Sequence, residues 1–333
     1  MIAGRHRNRG AALLAAMLTV ALVATFSAAA LWQQWRSTEV EAAERTRVQS
    51  GWILTGALDW ARLLLREDCR PCGTDHLGEP WAVPLQEARL SSFLAADRNA
   101  TAETGPEVLE AFLSGQIVDM QSLLNVNALV NDTGAPSEAD ARAFQRLFEL
   151  LALPPAQLDL LIQNMRFAAD TSAANLSRPM APLLPQRVQE LVWLGLPVAT
   201  VVALRPYVTV LPMRQGTPVN LNTASAEVIY AAVDGLNMAD AQRLVSAREQ
   251  APFRTVTDAK NAIGAPDTLF SPGQVRVAVA SNFFEVRARL RLDQLVVEER
   301  SLVLRSGIDV KTVQRERGIA DPTALSPAAT GGR

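Results

Sequence analysis

The stretch that decides the fold is AALLAAMLTVALVATFSAAALW, residues 11–32, which follows Arg9 and Gly10. Nineteen of its 22 residues are apolar, and no charged residue occurs from Gly10 to Trp35. A helix rises about 1.5 Å per residue, so about 20 residues span the hydrocarbon core of a bilayer. The abundant alanine and leucine also favour a helix. The stretch therefore predicts a transmembrane helix over residues 11–33, with the basic residues before it on the cytoplasmic side.

Three kinds of targeting segment combine a basic start with an apolar stretch. A cleaved secretory signal has an apolar part of roughly 7–15 residues and a cleavage site such as Ala28-x-Ala30, but the stretch here is longer. A plain signal anchor needs only the basic flank and the helix. A type IV prepilin-like leader is short and basic, ends in glycine and is cut before the helix. Arg9-Gly10-Ala11 has this third form, which we favour, so residues 1–10 are interpreted as a leader.

The fifth residue after that cut is Ala15. Most pilin-like proteins carry glutamate at this position, where its carboxylate is thought to pair with the N-terminal amine of a neighbouring subunit. A buried carboxylate without a partner would cost several kcal/mol. A subunit with no neighbour ahead of it would therefore be better served by alanine, and Ala15 indicates a position at the tip of a filament.

The composition disfavours two large classes of function. The 333 residues carry 32 Lys+Arg against 34 Asp+Glu, so the chain lacks the positive charge of a typical nucleic-acid-binding protein. There are only two histidines and two cysteines, which leaves little room for histidine-based catalysis or a multi-ligand metal centre. We find no G-x-S-x-G, Walker A or H-E-x-x-H pattern in the sequence. An enzyme is the least favoured interpretation.

The two cysteines, Cys69 and Cys72, form a C-x-x-C pattern after the predicted end of the N-terminal helix. In an oxidising compartment the pair can close a structural disulfide, which is the interpretation that we favour. Free thiols are the second interpretation. A zinc or redox site is the third, because Asp75 and His76 are close in sequence, although the strand-helix context of a redox motif is not recognisable around the pair.

The rest of the chain divides by its periodicity. Apolar residues at helical spacing continue the first helix to about Glu67, at Val40, Ala43, Val48, Trp52, Leu58, Ala61 and Leu65. Apolar and polar residues alternate from Phe284 to Leu292, which predicts a strand. The predicted segments are a leader (1–10), a transmembrane helix (11–33), its extension (34–67), the first part of an α/β head (68–130), an inserted helical domain (131–272), a β-meander that completes the head (273–318) and a disordered tail (319–333).

A rival function comes from VNLNTASAEVI, residues 219–229. Here Asn222 or Thr223 is predicted to cap a first helix, and a second follows the linker that ends at Asn237. The unit resembles the helix-hairpin-helix of ComEA-type DNA-binding proteins, whose turn contacts phosphate through backbone N–H groups. However, Asn237 replaces the second glycine of that turn, and residues 216–265 carry four basic and five acidic side chains. A membrane-anchored DNA-binding protein is therefore the alternative, and a structural use of the unit is favoured.

A similar short motif occurs earlier in the chain. Asn125-Val-Asn127 resembles Asn220-Leu-Asn222. In each, the asparagine side chains are predicted to bond the local backbone and to lead into a helix.

Together these features resemble the K-type minor pseudopilins of the bacterial type II secretion system (GspK/XcpX family). The resemblance extends over nearly the whole chain and rests on the order of five features: the RGAALL junction, Ala15 in place of glutamate, the Gly115–Leu129 segment with its Asn-x-Asn, the VNLNTAS unit and the FFEVRARLRL strand. It implies an α+β fold in which a pilin-like long N-terminal helix packs on an antiparallel sheet. A large inserted helical domain, SAM-like or helix-hairpin-helix-like, completes that fold.

The resemblance also implies a function. A prepilin peptidase is expected to cut between Gly10 and Ala11 and to methylate the amine of Ala11. The mature chain is expected at the pseudopilus tip as a non-catalytic subunit. There it would bind I-type and J-type minor pseudopilins, initiate assembly and aid the export of folded proteins across the outer membrane. Other pseudopilins and the inner-membrane platform are further expected partners, and nucleic acid is not.

The implied location is the inner membrane, crossed once, with the N-terminus in the cytoplasm and the head in the periplasm. No cofactor is expected to be required. Family members can hold structural calcium through oxygen ligands in the head, but the sequence has no EF-hand-like loop and identifies no ligands for it.

Overall fold

The structure is a computed structural model that describes residues 8–70, 73–90, 111–131, 134–170, 172, 182–213, 216–270, 276–292 and 295–319. Most of the predicted leader, Cys72 and the predicted tail from residue 320 onward lie outside these ranges. The chain divides into two compact units, Met1–Gly56 and Ala57–Arg333.

Helix α1 (Asn8–Asp68) supplies all the described residues of the first unit and the first residues of the second. Two polar residues of the apolar stretch are satisfied locally, because the hydroxyls of Thr19 and Thr25 donate to the carbonyls one turn earlier. Val40, Val48 and Trp52, which belong to the predicted apolar stripe, are more than half exposed. Within this unit they have nothing to pack against, because the helix is its only described element. The buried part of the predicted stripe includes Leu58, Ala61 and Leu65.

The head of the second unit is a five-stranded antiparallel sheet. Its spatial order is β1-β2-β7-β8-β9, formed by β1 (Leu85–Arg89), β2 (Ala111–Asp119), β7 (Phe283–Leu292), β8 (Leu295–Ser306) and β9 (Asp309–Ile319). A short 3₁₀ helix, Pro80–Ala82, precedes β1. Strand β2 pairs with β7 along its whole length, from Ala111 opposite Leu292 to Asp119 opposite Phe284. The backbones approach closely at Gly115, where an added Cβ would lie 2.9 Å from the carbonyl oxygen of Arg287.

One face of the sheet packs on the end of α1. Leu58, Ala61 and Leu65 meet Trp81 and sheet residues that include Phe284. The rings of Trp81 and Phe284 make an edge contact with centroids 5.2 Å apart. The predicted alternation in β7 is confirmed, with Phe284 and Val286 buried and Glu285 and Arg287 on the opposite face. Burying each large apolar side chain contributes roughly 1.5–3 kcal/mol.

The chain between β2 and β7 forms the helical insert. Its helices are α2 (Glu138–Leu150), α3 (Pro155–Ala169), α4 (Val198–Leu204), α5 (Ala226–Ala232), α6 (Met238–Gln250) and α7 (Val256–Ile263). Its 3₁₀ helices are Met120–Ser122, Val126–Leu129, Val188–Leu194 and Asp267–Phe270, and its short strands are β3 (Leu124–Asn125), β4 (Val208–Thr209), β5 (Val219–Asn220) and β6 (Val277–Ala278). The predicted α+β architecture with an inserted helical domain is confirmed.

The core of the insert begins before residue 131, where the sequence suggested its boundary. Leu124, Val126 and Leu129 are buried in this core, and Val277 packs against it from the other end. Two parallel ladders explain the difference. Strand β3 pairs with β4, and β5 pairs with β6, so residues at both ends of the insert are held inside it.

Serine side chains cap two helices of the insert. At α2 the Ser137 side chain accepts from the N–H of Asp140. The prediction that Asn222 or Thr223 caps α5 is wrong, because Ser225 is the N-cap residue and its side chain accepts from Val228 N. Asn222 and Thr223 lie before the cap and are buried, with their side chains bonded to other parts of the fold.

Candidate functional site

The predicted processing residues lie on one continuous helix. Gly10 and Ala11 are within the first turn of α1, and Ala15 follows one turn later. Residues four apart share a face of a helix, so Ala11 and Ala15 point to the same side. Both are exposed. Cleavage, methylation and the meaning of Ala15 stay predictions.

The first unit exposes its apolar surface. Large side chains such as Leu13 and Phe26 are 65% and 71% exposed. In the described part of the chain, one helix is long and apolar enough to cross a membrane. Trp32 and Trp35 lie in contact after the apolar stretch, with ring centroids 5.3 Å apart, and tryptophan is enriched where such helices leave the hydrocarbon. The arrangement fits a single-pass anchor.

In the second unit, a buried polar junction joins the head to the insert, and its centre is Asp119 at the end of β2. Asp119 is 3% exposed. Its Oδ1 accepts from Gln121 N at 2.8 Å, and its Oδ2 accepts from the hydroxyls of Thr223 and Ser281, each at 2.6 Å. Burial raises the pKa of Asp119, while these donors favour the ionised form and limit that rise.

Asn220 connects β5 of the insert to this centre. Its Nδ2 lies 3.0 Å from Asp119 Oδ2, from Ser281 Oγ and from the carbonyl oxygen of Asp75. Asn220 itself is completely buried. Because buried polar groups without partners are costly, these contacts fix the position of the insert on the head.

Arg305 on β8 completes the junction. Its guanidinium is bonded to the carboxylate of Asp75, lies 3.1 Å from Asp68 Oδ2 and donates to the carbonyl of Ser281 at 2.8 Å. Asp75 also accepts from Ser281 N. Arg305 is therefore the cation at which four parts of the second unit meet: the end of α1, the segment around Asp75, β8 and the residues that lead into β7.

The two Asn-x-Asn motifs have matching roles. The predicted local bonds are confirmed, since Asn125 Oδ1 accepts from Asn127 N at 3.1 Å and Asn220 Oδ1 accepts from Asn222 N at 3.0 Å. The sequence did not reveal their long-range bonds, such as Asn125 Nδ2 to the Met213 carbonyl at 2.7 Å. The signal available was the apolar residues beside each asparagine, which indicate that the motif is buried.

Three carboxylates near the junction could hold a cation by distance alone. Ligand oxygens of Asp68, Asp75 and Glu79 lie within 4.8 Å of one another. Burial, then the charge of Asp75, raises the pKa of Asp68, and burial raises the pKa of Glu79. However, Arg305 already contacts two of the three, and Glu79 Oε2 accepts from Trp81 Nε1 at 2.6 Å. The cluster as folded is an ion-paired group, and calcium would have to displace the guanidinium.

The predicted cysteine site is described only in part. Cys69 is buried and disulfide-bonded, whereas Cys72 lies outside the described residues, so their pairing stays a prediction. The zinc alternative needed the Asp75 carboxylate, but both oxygens of Asp75 are bonded, to Arg305 and to Ser281 N.

The hairpin between α5 and α6 is packed against the insert. Gly235 has a positive φ of 81°, which suits the turn, and Asn237 caps α6 by accepting from Asp240 N. Arg146 on α2 donates to the Tyr230 carbonyl at 2.8 Å and to the Leu236 carbonyl. Asp234 lies 3.3 Å from Arg142 and Asp240 is bonded to Arg243, so these arginines are paired within the chain and the turn is poorly suited to DNA.

Comparison with known proteins identifies the same regions. Residues 122–213 and 219–279 match two family models, both described as type II secretion system (T2SS), protein K. Type II secretion system protein K of Pectobacterium carotovorum is 25% identical over 94% of this chain and 98% of its own. That of Pseudomonas aeruginosa is 27% identical over 93% and 90%, and that of Klebsiella pneumoniae is 26% identical over 94% and 98%.

A solved structure shares the fold. It is a chain of the GspK-GspI-GspJ complex from the type 2 secretion system of enterotoxigenic Escherichia coli. The TM-score is 0.60 at 18% identity, and the match covers 83% of this chain and 98% of that one. None of these relatives or matches supports the DNA-binding alternative.

Proposed function

Since this chain belongs to the type II secretion system protein K family and is thus a K-type minor pseudopilin, we propose that it occupies the tip of the pseudopilus. There it initiates assembly and aids the export of folded proteins across the outer membrane. Its part in this process is structural and involves no catalytic step. Ala15 is the observation that carries the tip position.

The charge argument for the tip follows from α1. After cleavage at Gly10, the new amine of Ala11 would lie one helical turn from Ala15. A glutamate at 15 in a subunit with no neighbour ahead would have no foreign amine to neutralise it, and an unpaired carboxylate among apolar surroundings is costly. Alanine avoids that cost. Alanine also provides no carboxylate to neutralise the N-terminal amine of a subunit ahead of it. A chain with alanine at this position is therefore suited to be the first subunit of a filament.

We propose the I-type and J-type minor pseudopilins as its direct partners. The support is the similar chain, whose structure was solved in a GspK-GspI-GspJ complex. The prepilin peptidase, the other pseudopilins and the inner-membrane platform complete the proposed set. The chain would cross the inner membrane once, with its basic N-terminus in the cytoplasm and its head in the periplasm.

The test substitutes Ala15→Glu in the full chain, with Ala15→Gln as the control of equal size and no charge. Each variant is expressed with the I-type and J-type partners, and we measure both the secretion of an exported protein and the recovery of the complex from membranes. The glutamate variant should reduce both, and the glutamine variant should reduce them much less. Equal behaviour of the two variants would contradict the tip argument.

A further inference from the structure

An unassigned cleft lies between the insert and the outer face of the head sheet. Its volume is about 470 Å³. Glu285 and Arg287 of β7 line it, and they point away from the face that carries Phe284 and Val286 against α1. The opposite wall comes from the insert, around Arg187 and Arg205. The cleft is therefore separate from the polar junction around Asp119.

Apolar and charged side chains both line the cleft, and its apolar part is called the apolar floor. Its apolar residues are Met120, Leu123, Val188, Val208, Val210 and Leu302. A second hollow of about 440 Å³ shares Arg187, Arg300 and Glu316 with the cleft and continues to Gly318 at the edge strand β9. The two adjoining hollows are together called the groove, and their combined lining, from Met120 to Gly318, offers contacts to a length of chain that a compact ion could not make.

The guanidinium groups in the cleft are unequally paired. Arg187 is bonded to Glu316 and lies 3.7 Å from Glu190, and Arg287 is bonded to Glu285. The nearest described carboxylate to Arg300 is that of Glu298, at 3.9 Å. Arg205 has no carboxylate within ion-pair distance among the residues that the structure describes. Two guanidinium groups thus face the cleft with most of their donors unused.

We propose that this groove binds an extended acidic segment of a partner protein. The planar fork of a guanidinium matches a carboxylate with two parallel hydrogen bonds, so Arg205 and Arg300 select carboxylates over neutral side chains. The apolar floor receives the alternate side chains of the segment. A small anion could satisfy the arginines but would leave the floor and the second hollow unused. The proposed binding of this segment uses residues of this chain only and does not depend on the position of the chain in a filament.

The test uses the full chain in non-ionic detergent and a capped octapeptide of alternating Glu and Val that carries a neutral dye. The same peptide with Gln in place of Glu is the charge control. Fluorescence anisotropy should show at least tenfold tighter binding of the Glu peptide. Equal affinity for the two peptides overturns the proposal.

Arginine variants test whether the Glu peptide binds in the groove. Arg205→Gln and Arg300→Gln should each weaken binding of the Glu peptide about tenfold, which corresponds to about 1.4 kcal/mol. Arg254→Gln, which removes an exposed arginine outside the groove, is the matched control and should leave the affinity unchanged. A similar loss in the control variant would mean non-specific attraction and would overturn the assignment. Thermal melts check that all three variants remain folded.

A competition experiment separates a peptide from a small anion. Millimolar inorganic phosphate, at constant ionic strength, should displace less than half of the bound Glu peptide, because phosphate makes no contact with the apolar floor. Full displacement by phosphate would identify a small-anion site and would overturn the peptide proposal.

Discussion

The first unit exposes apolar side chains, whereas the junction around Asp119 buries polar ones. In the first unit, side chains such as Phe26 are mostly exposed, and the described residues of that unit do not cover them. At the junction, Asn220 and Asp119 are buried, and each is bonded to groups of the same chain. Apolar exposure on this scale indicates an environment that other molecules provide, and a satisfied buried network indicates a self-contained fold.

The largest expected effect concerns the first of these regions. Substituting Gly10→Val should block cleavage completely, because a branched side chain replaces a residue that has none directly before the cut. Intact mass of the membrane-extracted protein should show a chain that retains the leader. Gly4→Val is the control within the same leader and should be processed normally. A mature start at Ala11 in the Gly10 variant, or at Leu31 in the wild type, would show that the cleavage site is misassigned.

The next effect concerns the cation at the junction. Arg305→Met removes the partner of Asp75 and Asp68 and leaves their charges buried, which should cost about 3–5 kcal/mol of unfolding free energy. Urea unfolding of the detergent-solubilised chain measures the loss. Arg254→Met, at an exposed position, should change the stability by less than about 0.5 kcal/mol. A loss below about 1 kcal/mol in the Arg305 variant would mean that the network is not the connection between insert and head.

Substituting one buried and one exposed asparagine compares how much buried and exposed polar groups contribute to the stability. Asn220→Ala leaves several buried groups without a partner and should cost about 2–3 kcal/mol. Asn237→Ala removes an exposed helix cap and should cost about 1 kcal/mol. The same unfolding measurement applies to both. The reverse order would indicate that the buried bonds of Asn220 contribute little.

The smallest expected effect is on the pH dependence of the free energy of unfolding. Burial raises the pKa of Glu79, so the folded state holds this proton more tightly than the unfolded state does. Its contribution is complete below the unfolded pKa and is lost as the pH rises through the higher folded pKa. Glu79→Gln should therefore make the loss of stability as the pH rises above about 4.5 shallower than in the wild type. Urea unfolding at several pH values measures the slope, and identical slopes in the variant and the wild type would contradict the expectation.

Elements encoded by local periodicity were predictable from the sequence. The apolar run and helical spacing predicted α1 to within one residue of its end at Asp68, and the alternation of FFEVRARLRL predicted β7. The glycine and asparagine in the hairpin, together with the charge count, predicted that it is poorly suited to DNA.

Features that depend on contacts between distant residues were not predictable in this way. The β3–β4 and β5–β6 ladders contain two residues per strand, too few to show a period, so the extent of the insert core was underestimated. Ser225 caps α5 because Asn222 and Thr223 are bonded to Phe253 and Asp119, which are remote in sequence. The sequence around Arg305 does not indicate its role as an ion-pair partner. The carboxylates that it contacts, Asp68 and Asp75, are more than 200 residues away in sequence.

The pairing of Asp119 with Phe284 has a consequence for the order of folding. The chain leaves β2 and enters β7 at adjacent points, so the entire insert is a single loop closed by one pair of neighbouring strands. Each doubling of such a loop costs only about 0.6 kcal/mol in closure entropy, which makes a large insert thermodynamically tolerable. Kinetically, the sheet cannot be completed until the insert has been synthesised, and an insert that folds first brings the two strand ends together. The head is therefore expected to fold last, on a scaffold made by its own insertion.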